Sequence, residues 1–198
     1  MITVNIMSYK YGHVAAHAVE SVLSQTKKAD VVRLYDDGVG DCKHIKTLYP
    51  EVEVIEREKN LGIVDNFQDA LMRTETDKVM FLGADNWLRP DTLENLDAVV
   101  GDIISYDIYL FGTEAEEFSK LVPCYPEDGY RVWACKGMHG SSLYNTNLAK
   151  KYGYKRNPDS VKSEEDKMLF DAMVEGGAVR AHVSVPLLYY RRHKHNFQ

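Results

Sequence analysis

Hydrophobic and polar positions along the chain switch repeatedly between two periods. Ile2 to Met7 alternates and is rich in β-branched residues, which predicts a first strand. After the polar turn Ser8 to Gly12, the apolar residues Val14, Ala18, Val19, Val22 and Leu23 recur at helical spacing between His13 and Gln25. Val31 to Tyr35 reads as a second strand and ends in Asp36-Asp37-Gly38. A short helix, with Asp41 as its expected cap, closes near Tyr49-Pro50. Val52 to Ile55 is a third strand, and Ile63 to Met72 has helical spacing through Phe67, Ala70 and Leu71. Val79 to Leu82 is uniformly apolar, as suits a strand buried on both faces, and it stops at Gly83-Ala84-Asp85-Asn86.

The second half is less regular. Asp91 to Val100 reads as a helix with Pro90 near its start, and Ile103 to Phe111 is β-rich. Gly112 to Gly129 is acidic, holds two prolines and reads as a loop or excursion. Val132 to Leu143, with His139, reads as a strand or as a loop close to a site. Asn145 or Thr146 caps a short helix ending at Gly153, and Arg156 to Lys162 reads as loop. Ser163-Glu164-Glu165-Asp166 opens a helix that Gly176-Gly177 stops. Ala178 to Tyr190 is a last strand region. Strands alternating with helices predict βαβ units, right-handed crossovers and an α/β fold with a mainly parallel central sheet flanked by helices. Ligands in such sheets bind beyond the carboxyl ends of the strands, where Asp36, Asp37 and Asp85 fall.

The 198 residues are most simply one domain. The net charge of -6 disfavours nucleic acid as a partner, although Arg191 to His195 is locally basic. Cys42, Cys124 and Cys135 lack metal-ligand spacing and read as reduced thiols of a cytoplasmic protein. No run is long and apolar enough to span a bilayer, and no signal-peptide core opens the chain. His13 and His17 lie four apart on a helix but lack a nearby carboxylate, which favours surface histidines over a metal site.

The carboxylates each admit two readings. Asp85 is a turn residue after a strand, or a ligand for Mg²⁺ or Mn²⁺ together with substrate phosphates. Asp166 is the acid of a capping box, or a base that takes a proton from a hydroxyl; a helix N-terminus is expected to keep it ionised. Asp36 and Asp37 are turn acids, or acceptors for a nucleobase or a ribose. No Walker loop, dinucleotide fingerprint or serine nucleophile elbow is present.

In this order the segments resemble glycosyltransferase family 2, the inverting enzymes of the GT-A (Rossmann-like) fold. Ala18 to Thr26 is similar to the family's S-[VI]-L-x-Q-T helix. Leu34 to Gly38 is similar to its D-D-G-S step, with Val39 in place of the serine. Asn60-Leu61-Gly62 with Asn66 resembles N-x-G…N, and Phe81 to Pro90 resembles L-D-x-D-D-x-x-x-P. Glu165-Asp166 with Leu169 resembles E-D…L, and Tyr190-Arg191-Arg192-His193 resembles the terminal Y-R-x-H.

The resemblance implies a nucleotide-sugar donor, most often a UDP-sugar, and a glycan or other hydroxyl acceptor. It implies donor contacts at Tyr9, Asp37, Ala84 and Asp85, Mn²⁺ or Mg²⁺ held by Asp85 and His193, and a general base at Asp166. Residues 1–100 would be the donor half. Residues 101–198 would be the acceptor and catalytic-base half, with the acceptor set by the stretches Gly112 to His139 and Arg156 to Lys162. Trp87, Trp133 and Tyr144 are candidates for stacking on sugars or for core packing. Gly83 and Asn86 depart from the D-x-D pattern, so Asp85 alone keeps its acid. That departure leaves a non-catalytic nucleotide-sugar or glycan-binding module as the alternative. A nucleotidyltransferase is disfavoured by the lack of an N-terminal triphosphate loop. The chain is short for this family, either a minimal version or one domain of a larger protein.

Overall fold

The computed structural model describes residues 1–135, 137, 139–160, 164–194 and 196. Its first half is a parallel sheet wound outwards from the N-terminus. β1 (Ile2–Ser8) pairs in parallel with β2 (Val31–Asp36) on one edge and with β4 (Lys78–Gly83) on the other, and β2 pairs with β3 (Glu53–Glu56). The crossovers carry α1 (Gly12–Leu23), α2 (Lys43–Leu48) and α3 (Ile63–Met72). Because β2 and β4 flank β1 on opposite sides, the chain reverses direction across the sheet at β1. A crevice opens at such a switch point, beyond the carboxyl ends of the strands.

β1 is buried at every position, which explains its near-continuous apolar sequence. α1 buries Ala15, Ala18, Val19 and Val22, the stripe expected from its spacing. Two apolar clusters result. One, around Ile6, Leu34, Leu82 and Tyr106, packs under α1. The other, around Phe81, Ile103, Tyr144 and Leu169, packs on the opposite face.

In the second half β6 (Ile103–Phe111) runs parallel to β10 (Arg180–Arg191), with register shifts around Pro186. The short β9 (Leu143–Asn145) lies antiparallel between β4 and β6 and joins the two parallel blocks, so the sheet is mixed. β5 (Trp87–Leu88) adds antiparallel to β10 at the edge. Among the described residues ten strands share this sheet.

Three local expectations are corrected. The stretch Gly112 to Gly129 is not simply loop. It holds α5 (Ala115–Ser119) and β7 (Cys124–Glu127), and β7 forms a hairpin with β8 (Tyr130–Trp133) that adds antiparallel to β6. Asp41 does not cap α2; Cys42 is the residue before that helix, and the Asp41 carboxylate accepts the Gly12 N–H at 3.0 Å. The last helix, α7 (Glu165–Glu175), begins after Glu164, which has φ 49°, so Asp166 is its second residue. Ser163, the proposed cap, lies outside the described residues. The cap on α6 (Thr146–Tyr152) is as expected: the Asn145 side chain accepts the Leu148 N–H at 3.1 Å, and Gly153 ends the helix. α4 (Thr92–Asp97) follows Pro90 and is shorter than its pattern suggested.

Candidate active site

The site forms at the carboxyl ends of β1, β2, β4 and β10. The acidic step after β2 separates into two roles. Asp36 is a turn residue: Oδ1 accepts the Val39 and Gly40 N–H groups at 3.0 Å, and Oδ2 accepts Cys42 N–H at 3.1 Å. Leaving one such buried amide unpaired costs about 1–3 kcal/mol. Asp36, Asp41 and Cys42 place oxygen and sulfur atoms near one another. Their lone pairs go to these amides and to Gly12, which accounts for the cluster without a ligand. Asp37 points to the other loop, where Oδ1 accepts Leu61 N–H at 2.8 Å. Burial raises its carboxyl above the usual value, against the Leu61 and Gly62 amides. Tyr9 is exposed beside it, its hydroxyl lowered chiefly by a hydrogen bond with Asn60, so Tyr9 and Asp37 share the β1–β2 end of the crevice.

β4 supplies the next wall. Ala84 is buried and its N–H donates to Met7 O at 2.9 Å, which fixes the chain as it leaves the sheet. A Cβ on Gly83 would lie 2.8 Å from Asn86 Nδ2 and 3.0 Å from Asp85 Oδ1. The Asn86 amide thus fills the space that an acid at 83 would need. Asn86 Oδ1 is itself taken by the Arg191 N–H at 2.9 Å.

His193, just after β10, brings its Nε2 to 3.3 Å from Asp85 Oδ2. The same Nε2 lies 3.3 Å from the Tyr11 hydroxyl. Burial raises the Asp85 carboxyl, and His193 and Arg191 oppose that. Burial also pushes Tyr11 up to about 12, with the charge of Asp85 adding. Arg191 donates from Nε to Asp85 O at 3.2 Å. A carboxylate and an imidazole converging in a half-closed site suit a divalent cation whose other ligands are phosphate oxygens and water.

Asp166 enters from the first turn of α7. Its residue is partly accessible, but Oδ1 is buried and has no hydrogen-bond partner among the described residues. The helix N-terminus therefore does not hold this carboxyl ionised at low pH. Burial, with Glu165 adding, raises it to about 7. The carboxylate packs on Gly140, where a Cβ would meet Asp166 Oδ2 at 2.5 Å. His139 anchors that loop: burial lowers its pKa to about 3, and its neutral Nε2 accepts Tyr106 N–H at 3.3 Å. The Tyr190 hydroxyl accepts from Arg192 Nη1 at 3.1 Å and is raised mainly by burial, with the charges of Asp85 and Asp166 adding.

The contacts thus form separate groups: Asp85 with His193 and Tyr11 beyond β4 and β10, Tyr9 beside Asp37 beyond β1 and β2, and Asp166 against Gly140. No spacing in the sequence marks Tyr11 or Gly140 as members of these groups. The stacking candidates fall outside these groups. Tyr144 is fully buried in the core. Trp133 packs edge-on against Phe118, and Trp87 is stacked between His17, at 4.2 Å, and Tyr189. His17 thus pairs with an aromatic ring. The three cysteines form no disulfide, and burial pushes Cys42 and Cys135 up to about 12, far from a reactive thiolate.

Solved structures share this fold. S. aureus TarS 1-349 superposes with a TM-score of 0.73 at 20% identity, covering 96% of this chain and 60% of that one. The same protein in complex with UDP-GlcNAc gives 0.74 at 18% identity, covering 99% and 60%. Mannosyltransferase PcManGT from Pyrobaculum calidifontis, in complex with GDP-Man and Mn²⁺, gives 0.69 at 16% identity, covering 99% and 58%. The chain thus spans about three fifths of the length of these proteins, and at these identities the likeness is one of fold. No curated protein matches the sequence significantly. The family model described as glycosyl transferase family 2 matches residues 3–104, just over half the chain, and covers the strands that carry Tyr9, Asp37 and Asp85. By that match, and with the fold in agreement, the chain belongs to glycosyl transferase family 2.

Proposed function

We propose that the chain is an inverting, metal-assisted glycosyltransferase that moves a sugar from a UDP-sugar to a hydroxyl of a glycan or similar acceptor. One observation carries this reading. Asp85 and His193, 108 positions apart, converge at 3.3 Å beyond the end of β4, the strand end where a metal and a diphosphate would sit. Residues 1–100 form the donor half and residues 101–198 the acceptor and base half of one domain. Tyr9 and Asp37 hold the nucleotide base, and Ala84 and Asp85 lie along the ribose and diphosphate. Asp85 and His193 hold the cation, which when bound neutralises charge on the departing diphosphate.

Asp166 accepts the proton of the acceptor hydroxyl as that oxygen attacks the anomeric carbon. The nucleoside diphosphate leaves from the opposite face, so the configuration inverts. TarS with UDP-GlcNAc favours a UDP donor over the GDP-Man of the mannosyltransferase, and the latter's Mn²⁺ agrees with the oxygen and nitrogen ligand set. Gly83 does not signal a decayed binding module, because Asn86 fills the space of the missing acid. No helix among the described residues is long and apolar enough to cross a membrane. With its cysteines in no disulfide, this supports a cytoplasmic site of action.

Donor screening tests the reading. With Mn²⁺, a UDP-sugar at about a hundred times its Kd should stabilise the fold by about 2.7 kcal/mol. For a chain of this length that is a rise in Tm of about 5–10 °C. A larger rise with GDP- or dTDP-sugars would reassign the nucleotide. No rise with any of them would remove the donor site.

The base loop supplies a second test. Gly140→Ala forces the Asp166 carboxylate to swing away, a movement the flexible side chain can make without unfolding the loop. Misplacing a catalytic group by about 1 Å can lower a rate by about 10²-fold. We expect kcat to fall on that scale while UDP affinity, measured by calorimetry, is unchanged. Equal loss of both would mean that Gly140 serves the fold alone.

A further inference from the structure

Arg192 is a buried cation without an anion. It is 3% exposed. Its backbone extends the sheet: the N–H donates to Phe111 O at 2.8 Å, and the carbonyl accepts Glu114 N–H at 3.1 Å. Its guanidinium lies 4.2 Å from the centre of the Phe118 ring, and Nη1 donates to the Tyr190 hydroxyl at 3.1 Å. Among the described residues no carboxylate pairs with it, and Nε is buried with no acceptor. A ring face offsets only part of the lost hydration of a guanidinium. A group in this state is either a liability to the fold or half of a binding site.

Its placement favours the second. The neighbouring Arg191 turns to the donor side, onto Asp85 O and the rings of Trp87 and Phe111. Arg192 instead packs on the Phe118 ring of α5 and donates to the Tyr190 hydroxyl, in the half of the chain assigned to the acceptor. Its cover is the five-residue α5, which has no fully buried side chain and holds on to the core through the partly buried Ala115 and Phe118. Lifting so short a segment breaks less packing than opening the core itself would.

We propose that Arg192 recognises the acceptor: the acceptor carries an oxyanion, phosphate or carboxylate, that docks on this guanidinium beneath α5 while its hydroxyl lies at Asp166. This rests on the acceptor half assigned above. A guanidinium binds either oxyanion through paired N–H donors, a geometry that lysine lacks.

The test titrates inorganic phosphate, and acetate in a separate arm, into protein holding saturating UDP and Mg²⁺, so that the diphosphate position is already filled. We expect one of the anions to bind the parent and to bind Arg192→Met about thirtyfold more weakly or worse. UDP affinity should stay within about twofold of the parent. The arm that binds tells phosphate from carboxylate. Binding of neither anion, or equal binding by parent and Arg192→Met, overturns the proposal. Binding that UDP abolishes also overturns it, since it locates the anion at the donor diphosphate. Should Arg192→Met not fold, Arg192→Lys carries the same comparison, because it keeps the charge and loses the paired donors. If UDP fails to bind the parent, the donor reading falls. The titration without nucleotide then still judges Arg192 by the difference between parent and variant.

Discussion

Asp166→Asn is expected to slow sugar transfer by about 10²–10⁴-fold, the usual contribution of a general base. Donor affinity should stay close to that of the parent, because Asp166 stands on α7, in the half assigned to the acceptor and base. The substitution is nearly isosteric, so the packing on Gly140 survives. The pH dependence follows from the raised carboxyl. A base acts only when ionised, so the parent's rate should climb through a midpoint near 7, where burial holds this group. At pH 6 the rate should be about a tenth of its plateau, and the variant's residual rate should lack that limb.

Stability should move the other way. The folded state holds this proton more tightly than the unfolded chain does, so ionisation works against folding. That penalty is absent below the unfolded value of 3.8 and complete above about 7. Asp166→Asn should therefore melt above the parent at pH 8, by a margin that narrows towards pH 5. A variant with full activity would remove Asp166 from the reaction. A variant that is inactive and also melts lower at every pH would make it a structural residue.

The contrast between Asp166 and its own sequence context shows where sequence reading stops. Ser163 to Asp166 reads as a capping box, and local rules then predict a depressed carboxyl. The opposite holds because the carboxyl is packed on Gly140 in a loop that His139 anchors, and such long-range burial leaves no mark on the four residues. The strands and helices of the first half were legible because each has one strong period. β1 is apolar throughout, and α1 shows its buried stripe at Ala15, Ala18, Val19 and Val22. β9 was not legible: it has three residues, and its antiparallel pairing to β4 and β6 is set by distant partners. α5 has five residues and only Ala115 and Phe118 partly buried, too few to show an amphipathic period, and the β7–β8 hairpin was masked by the acidic residues around it. Of the residues at the strand ends, Asp85 lies 3.3 Å from His193. Tyr11 reaches His193 only through a contact 182 positions apart, and Arg192 is placed by backbone bonds to Phe111 and Glu114, so neither leaves a local mark in the sequence.

Asp85→Ala should remove the tightening of UDP binding that Mn²⁺ produces, a change of about 10–100-fold in Kd if the cation bridges protein and diphosphate. The effect should be larger here than at a site with two acids. Gly83 offers no carboxylate, and a side chain there would collide with Asn86 Nδ2. Asn86 cannot step in, because its Oδ1 holds the Arg191 N–H. The Asp36, Asp41 and Cys42 group belongs to the turn after β2, with its oxygens committed to amides. On the proposed reading His193 is the other protein ligand, and His193→Ala should produce much of the same loss. If both residues hold one ion, the two losses should not add: the double variant should bind UDP with Mn²⁺ about as weakly as Asp85→Ala alone. Calorimetry of UDP binding, with and without Mn²⁺, in the parent and three variants reads this directly, independent of any acceptor. Additive losses would mean that Asp85 and His193 contact the nucleotide separately. A parent whose UDP affinity ignores Mn²⁺ would reduce the 3.3 Å contact to a buried hydrogen bond that ties β10 to the end of β4.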